Sequence, residues 1–220
     1  MSYRLYSFWR SSSSWRVRIG LGLKGVPYEC TPVNLIAGEQ ASEAHRARNP
    51  AGQVPVLEVV EGNRVLRLTQ SMAILEWLDE RHPSPAILPD DADGRAAVRA
   101  LAEIVNAGIQ PLQNSVVLRM LKEKEAGFEK AWVRHWVSTG LAALERTAAP
   151  LAGRFMYGDS PGLADCYLVP QMYSARRFGV DLEPFPTLRR VDEACAALPA
   201  FQSAHADHQP DTPPPDRRTP

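Results

Sequence analysis

The sequence predicts a small α/β domain over residues 1–83 and an all-α domain over residues 91–208, joined by a linker at 84–90 and followed by a tail at 209–220. Two observations carry this reading. Strand-like and helix-like patterns alternate up to Arg81, whereas the apolar periods beyond Pro89 have the three-to-four spacing of helices. Between them, Pro83 to Pro89 holds three prolines and few helix formers, the composition of a connection.

Tyr3 to Ser7 reads as a short strand that runs into a serine turn. In the next segment Trp15, Val17, Ile19, Leu21 and Leu23 fall on every second position, so periodicity alone makes a strand. Its boundaries say helix: hydroxyl residues that can cap its start, Lys24 and Gly25 at its end, and Pro27 just beyond. The boundaries decide for a helix. Tyr28 to Val33 alternates again as a strand. Val56 to Val60 and Val65 to Leu68 are two further strands, joined by the hairpin signal Glu61-Gly62-Asn63-Arg64. Pro55 stands at the first residue of a strand, the place for a sheet edge or a cis bond. A helix begins near Ser71, carries Ile74, Leu75 and Leu78 on one face, and ends before Pro83.

In the second half, helices are expected over Asp93 to Val105, Phe128 to Ala149, Leu163 to Phe178 and Pro186 to Ala197, each with apolar residues at helical spacing. The tail from Gln209 to Pro220 lacks apolar content and is expected to be disordered or to lie over the surface. There is no internal repeat.

Composition narrows the function classes. The 220 residues carry 25 basic and 25 acidic side chains, so no basic excess points to nucleic acid. No apolar run approaches the roughly 18 to 20 residues that span a bilayer, and Met1 leads straight into a strand pattern instead of a signal peptide. A cytoplasmic protein with no membrane partner is expected. Cys30, Cys166 and Cys195 are odd in number and widely spaced, which argues against a disulfide framework and favours buried thiols. The five histidines show no pairing that suggests a metal site or a general base, and no metal is expected.

The most informative stretch is Phe8-Trp9-Arg10-Ser11-Ser12-Ser13-Ser14-Trp15-Arg16-Val17-Arg18. A helix N-terminus leaves about four N–H groups unpaired and carries roughly half a positive charge, so serines placed there suit an anion. A thiolate lying across such donors has a lowered pKa. The same serines also suit a flexible loop or a plain helix cap.

An αβ domain with a proline before its third strand, Gln70-Ser71 opening the next helix, and an all-helical second domain resembles the cytosolic glutathione transferases. Arg10 to Ile19, Asn34-Leu35-Ile36, Asn49-Pro50, Gln53-Val54-Pro55, Gly108 to Asn114 and Val180-Asp181-Leu182 resemble their zeta class, which includes maleylacetoacetate isomerase. The likeness runs nearly end to end and includes Gln209-Pro210-Asp211-Thr212-Pro213 in the tail. It implies a thioredoxin-like first domain with Pro55 in cis, a helical-bundle second domain, glutathione as cofactor and a homodimer.

Position by position, the resemblance implies a glutathione site made of Ser11, Ser12, Ser13, Ser14 and Trp15 at the turn, Val54 by its backbone, Gln70 and Ser71 at the γ-glutamyl end, and Gln40 at the glycyl end. Gln110 and Asn114 would approach from the helical domain. Ser12 is the expected donor to the sulfur, Ser11 the alternative, and Ser13 a neighbouring polar group. Ser13 stands where the family often has cysteine, so no protein thiol serves as nucleophile at that position. Gly162 replaces the usual Ser or Thr of a capping box with Asp165, a change that costs only a few tenths of a kcal/mol.

The chemistry so implied is addition of the glutathione thiolate to a cis-ene-dione, rotation, and expulsion to the trans isomer, maleylacetoacetate giving fumarylacetoacetate in aromatic amino acid catabolism. Arg10 and Arg177 are the expected partners of the dicarboxylate substrate and of the developing enolate, since guanidinium pairs bidentately with carboxylate. Arg176 is expected to face solvent. Three alternatives remain at this stage: a maleylpyruvate isomerase, a glutathione transferase acting on α-halo acids, and a non-catalytic module of the same fold.

Overall fold

The alternating segments of the first half form a four-stranded sheet, β1 (Ser2–Ser7), β2 (Glu29–Pro32), β3 (Val56–Glu61) and β4 (Arg64–Thr69), in the spatial order β2-β1-β3-β4. β1 and β2 are parallel, with Arg4 beside Glu29 and Ser7 beside Pro32, so the chain must cross over between them. The other two pairings are antiparallel, Tyr6 facing Val56 and Val56 facing Thr69. These positions come from a computed structural model, which describes residues 1–217; the end of the expected tail, 218–220, lies outside the described residues.

The crossover is α1 (Ser12–Leu23), a helix as its boundaries predict. Its period is hidden because residues 14 to 21 are all buried, so no face is left polar. It ends in a Schellman arrangement: Val26 N–H donates to Leu21 O, Gly25 N–H donates to Gly22 O, and Gly25 takes φ 63°. α2 (Glu43–Arg46) is a single turn, and α3 (Ser71–Arg81) follows the hairpin. Leu5, Val17, Leu21, Leu57, Ile74 and Leu78 pack into one core between the sheet and these helices, each contributing about 1.5–3 kcal/mol.

The described residues divide into two compact units, Met1–Ile87 with the chain from Leu198 onward, and Leu88–Ala197. The second unit is helical: α4 (Ala92–Asn106), α5 (Ser115–Lys124), α6 (Phe128–Ala148), α7 (Leu163–Arg177) and α8 (Pro186–Ala196). Val98, Leu101, Leu141, Leu144, Leu168 and Leu188 are among its buried side chains. Asp165 keeps its half of the missing capping box: Oδ2 accepts from Gly162 N–H and Oδ1 from Met156 N–H. Gly162 has no side chain to complete it.

The expected helical domain of residues 91–208 is thus divided. α9 (Pro199–Ala204) joins the first unit, because a Cβ at Gly22 would lie 3.1 Å from Ala200 Cβ and Arg18 Nε donates to Ala204 O. The tail is held, not disordered, as far as the described residues go. Gln209 Nε2 donates to the carbonyls of Ser203 and His205, Thr212 Oγ1 donates to Ala206 O, and Asp211 Oδ2 accepts from Trp9 N–H.

Candidate active site

Strand register decides which loops share an end of the sheet. Tyr6 opposite Val56, and Val56 opposite Thr69, place the exit of β1, the entrance of β3 and the exit of β4 at one edge. The serine turn, Val54–Pro55 and Gln70–Ser71 therefore lie together. Ligands in such sheets sit where helices start beyond the strand ends. One contact closes the group: Arg16 Nη1, on the first turns of α1, donates to Ser71 Oγ at the start of α3.

Ser11 is the N-cap of α1, and its Oγ accepts from Ser14 N–H at 3.2 Å. Its own hydroxyl proton stays available to a ligand. Ser12 and Ser13 are the first two residues of the helix, so their N–H groups have no intrahelical acceptor, and both side chains are half-buried. Ser14 and Trp15 differ from expectation: they are 0% and 1% exposed, so neither offers a side-chain surface to a ligand. They anchor the turn from beneath, Trp15 in a T-shaped contact with the His205 ring, centres 4.8 Å apart. Arg10 stacks on Trp9, its guanidinium carbon 5.1 Å from the ring centre.

Arg18 lies below the turn, 1% exposed, and binds three backbone carbonyls and one serine hydroxyl. Its Nη2 donates to Trp9 O at 2.9 Å, Nη1 to Ser7 Oγ at 3.0 Å and more weakly to Phe8 O, and Nε to Ala204 O. Burial pulls its pKa down to about 10, which leaves it charged at neutral pH.

The Val54–Pro55 bond is cis. Among the described residues no hydrogen bond engages the backbone N–H or C=O of Val54, which leaves an antiparallel pair of groups for an extended peptide. The preceding Gln53 carbonyl is fixed twice, by His45 Nε2 at 3.0 Å and Asn49 Nδ2 at 2.8 Å. Sequence reasoning missed both supports, since neither residue carries a signal beyond the Asn49-Pro50 motif. Gly52 (φ 61°) brings its backbone against Gln40, where a Cβ would lie 3.1 Å from Gln40 O, so Gln40 adjoins this loop. Gln40 Oε1 is buried without a hydrogen-bond partner among the described residues.

Gln70 has φ 68°, the only non-glycine residue with positive φ among the described residues, and its side chain is exposed. Such a conformation costs on the order of 1–3 kcal/mol and clusters at functional positions. Ser71, one residue on, starts α3, where unpaired N–H groups favour a carboxylate.

In the helical unit, Gln110 opens the short 3₁₀ turn Gln110–Gln113. Asn114 caps α5, its Oδ1 accepting from Val116 N–H, which leaves both its amide N–H donors for other partners. Gln113 Nε2 donates to Gln171 Oε1 while Gln113 Oε1 accepts from Ser174 Oγ. Arg177 is half-buried at the end of α7, its guanidinium carbon 4.4 Å from the Phe178 ring centre. Arg176 is exposed, as expected, and pairs with Asp192. No three His, Cys, Asp or Glu side chains gather as a metal site among the described residues, and no described helix is long and apolar enough to cross a membrane.

One end of the first unit thus offers two helix N-termini, three accessible serines and an unpaired strand-like backbone, a set suited to a peptide bearing an anionic end and a thiolate. Residues 1–80 match the family model of the glutathione S-transferase N-terminal domain. The chain is 50% identical to a maleylpyruvate isomerase of Ralstonia sp, over 95% of this chain and 99% of that one. It is 48% identical to the maleylacetoacetate isomerase of Pseudomonas aeruginosa, over 96% and 99%. It also resembles crystal structures of maleylacetoacetate isomerase from Anaeromyxobacter dehalogenans. One, with bound GSH in the active site, has a TM-score of 0.91 and 66% identity over 96% and 98% of the two chains. Another, with bound dicarboxyethyl glutathione and citrate, has a TM-score of 0.91 and 65% identity over 97% and 98%. With identity of this order over nearly its whole length, the chain belongs to the zeta-class glutathione transferase and maleylacetoacetate isomerase family.

Proposed function

We propose that the chain is a glutathione-dependent cis–trans isomerase that converts maleylacetoacetate to fumarylacetoacetate in aromatic amino acid breakdown, working as a cytoplasmic homodimer. The observation that carries the reading is the convergence of the α1 and α3 N-termini with the unpaired backbone of Val54 at one end of the sheet. Those residues fit glutathione group by group: Val54 meets the cysteinyl backbone, Ser71 with the α3 N-terminus holds the γ-glutamyl carboxylate beside Gln70, and Gln40 reaches the glycyl end. Gln110 and Asn114 are the remaining residues that the family resemblance assigns to glutathione. When bound, glutathione supplies a thiolate that adds reversibly to the substrate's double bond and lets it rotate.

The protein's own part is to keep that sulfur ionised and to hold the substrate. Ser12 donates its hydroxyl proton to the sulfur, with Ser11 the alternative donor and Ser13 a polar neighbour. One hydrogen bond to an ionised group contributes about 1.5–3 kcal/mol, equal to about one to two pKa units. Arg10 and Arg177 pair with substrate carboxylates, and the positive end of α1 favours the charge that develops. Ser13 stands where a family cysteine is often found, so the chain needs no thiol of its own.

The identity with the Ralstonia maleylpyruvate isomerase favours a second reading, the same reaction on the shorter substrate maleylpyruvate. Both substrates are tested under one set of conditions, with glutathione far below substrate and the loss of cis-enedione absorbance followed. Multiple turnovers that consume no free thiol, faster on maleylacetoacetate, are expected. Equal turnover without glutathione overturns the mechanism. Stoichiometric loss of thiol makes the chain a conjugating transferase, one acting on α-halo acids among the candidates.

A further inference from the structure

We infer that Asp211, from the C-terminal tail, is a positioning residue for the serine turn. It holds the Trp9 peptide unit from one side while Arg18 holds it from the other, and so sets where Ser11 and Ser12 meet the glutathione sulfur. The inference rests on the reading that this turn binds the thiolate.

The contacts form a closed circuit around the turn. Trp9 N–H donates to Asp211 Oδ2 at 2.9 Å, and Trp9 O accepts from Arg18 Nη2 at 2.9 Å, so both backbone groups of one residue are held by charged side chains. Phe8 O accepts from Ser11 N–H at 3.0 Å, and from Arg18 Nη1 at 3.4 Å, which passes the restraint on to the N-cap of α1. Asp211 can do this because its own segment is fixed. Gln209 donates to the Ser203 and His205 carbonyls, Thr212 donates to Ala206 O, and α9 rests against Gly22 of α1. Asp211 and Arg18 also sense each other, the carboxylate helping to keep the buried guanidinium charged. A carboxylate acceptor makes a stronger bond to N–H than a neutral one, so a single residue of an otherwise polar tail can restrain the turn.

The test uses the full chain with Asp211→Ala and Asp211→Asn. Amide hydrogen exchange of the peptide over residues 8–14 is measured without glutathione, with the peptide over residues 133–144 as a control of folding. The thiol pKa and the KM for glutathione are measured on the same proteins. In Asp211→Ala, exchange over 8–14 is expected to quicken about tenfold while 133–144 is unchanged, with a raised thiol pKa and a raised KM. Asp211→Asn, which keeps an acceptor oxygen, is expected to lie close to the parent. Parental exchange in Asp211→Ala overturns the inference, as does faster exchange with an unchanged thiol pKa. Should the parent itself leave the thiol pKa as it is in free glutathione, the proposed function falls, while exchange over 8–14 still decides whether Asp211 holds the turn. If Asp211→Ala does not fold, Asp211→Ser, too short to reach Trp9 N–H, is measured in its place: faster exchange over 8–14 with a raised thiol pKa upholds the inference, and parental exchange or an unchanged thiol pKa overturns it.

Discussion

Replacing Arg18 with methionine is the sharpest test of how the serine turn is held. Methionine keeps much of the stem's volume but removes donors to Trp9 O at 2.9 Å, Ser7 Oγ at 3.0 Å and Ala204 O at 3.0 Å. Hydrogen bonds from a charged donor contribute about 1.5–3 kcal/mol each, so three give roughly 4.5–9 kcal/mol in gross terms. Against this stands the cost of keeping a cation buried. A pKa brought from 12.5 to about 10 corresponds to about 3 kcal/mol at ~1.36 kcal/mol per unit. The net loss is then about 3 kcal/mol, in line with the roughly 3–5 kcal/mol seen when one partner of a buried charged network is removed. Urea unfolding and thermal melting should show it, the latter as a fall of about 6–12 °C. Arg18→Lys should recover little, since an ammonium has no planar fork to serve all three acceptors. An Arg18→Met protein within about 0.5 kcal/mol of the parent would refute the reasoning.

Gln70→Gly should separate stability from binding. Glycine relieves the φ 68° strain, so stability rises by about 1 kcal/mol, while loss of the side chain raises the KM for glutathione; a fall in melting temperature with parental KM contradicts this. Asp165 is fully buried, and burial raises its pKa from 3.8 to about 6. The folded chain therefore holds a proton that the unfolded chain releases, and stability falls as pH rises through about 4 to 6, by at most about 3 kcal/mol. Subtracting the stability curve of Asp165→Asn from that of the parent should isolate this downward slope; a difference that is flat or rising between pH 4 and 6 contradicts it.

What the sequence made legible follows burial. β1, β4 and α3 each present one apolar face, and β3, buried from Val56 to Val59 on both faces, reads as a short run of apolar residues bounded by a turn signal. α1 is buried on all sides, so its period misled and only the caps at Ser11 and Gly25 identified it. α5 has no buried residue and α9 only six residues, which leaves neither a core period to detect. The place of Pro55 before a strand left a sheet edge or a cis bond open and the resemblance pointed to cis, whereas the φ of Gln70 has no signature in residue type. Ser14 shows the limit of a motif: four consecutive serines look alike in sequence, yet the helix turns the fourth into the interior. The tail looked unstructured because its anchors are polar and leave no apolar period: Gln209 and Thr212 bind carbonyls four to six residues back, and Asp211 reaches Trp9 at the other end of the chain.

Spectroscopic titration of the glutathione thiol bound to the parent protein and to Ser12→Ala bears most directly on the function. The parent should ionise the thiol about one to two units below free glutathione, and Ser12→Ala should return it by at least about one unit while melting at the parental temperature. A thiol that titrates in the parent as it does free in solution, or identically in the two proteins, would contradict the claim that Ser12 keeps the sulfur ionised.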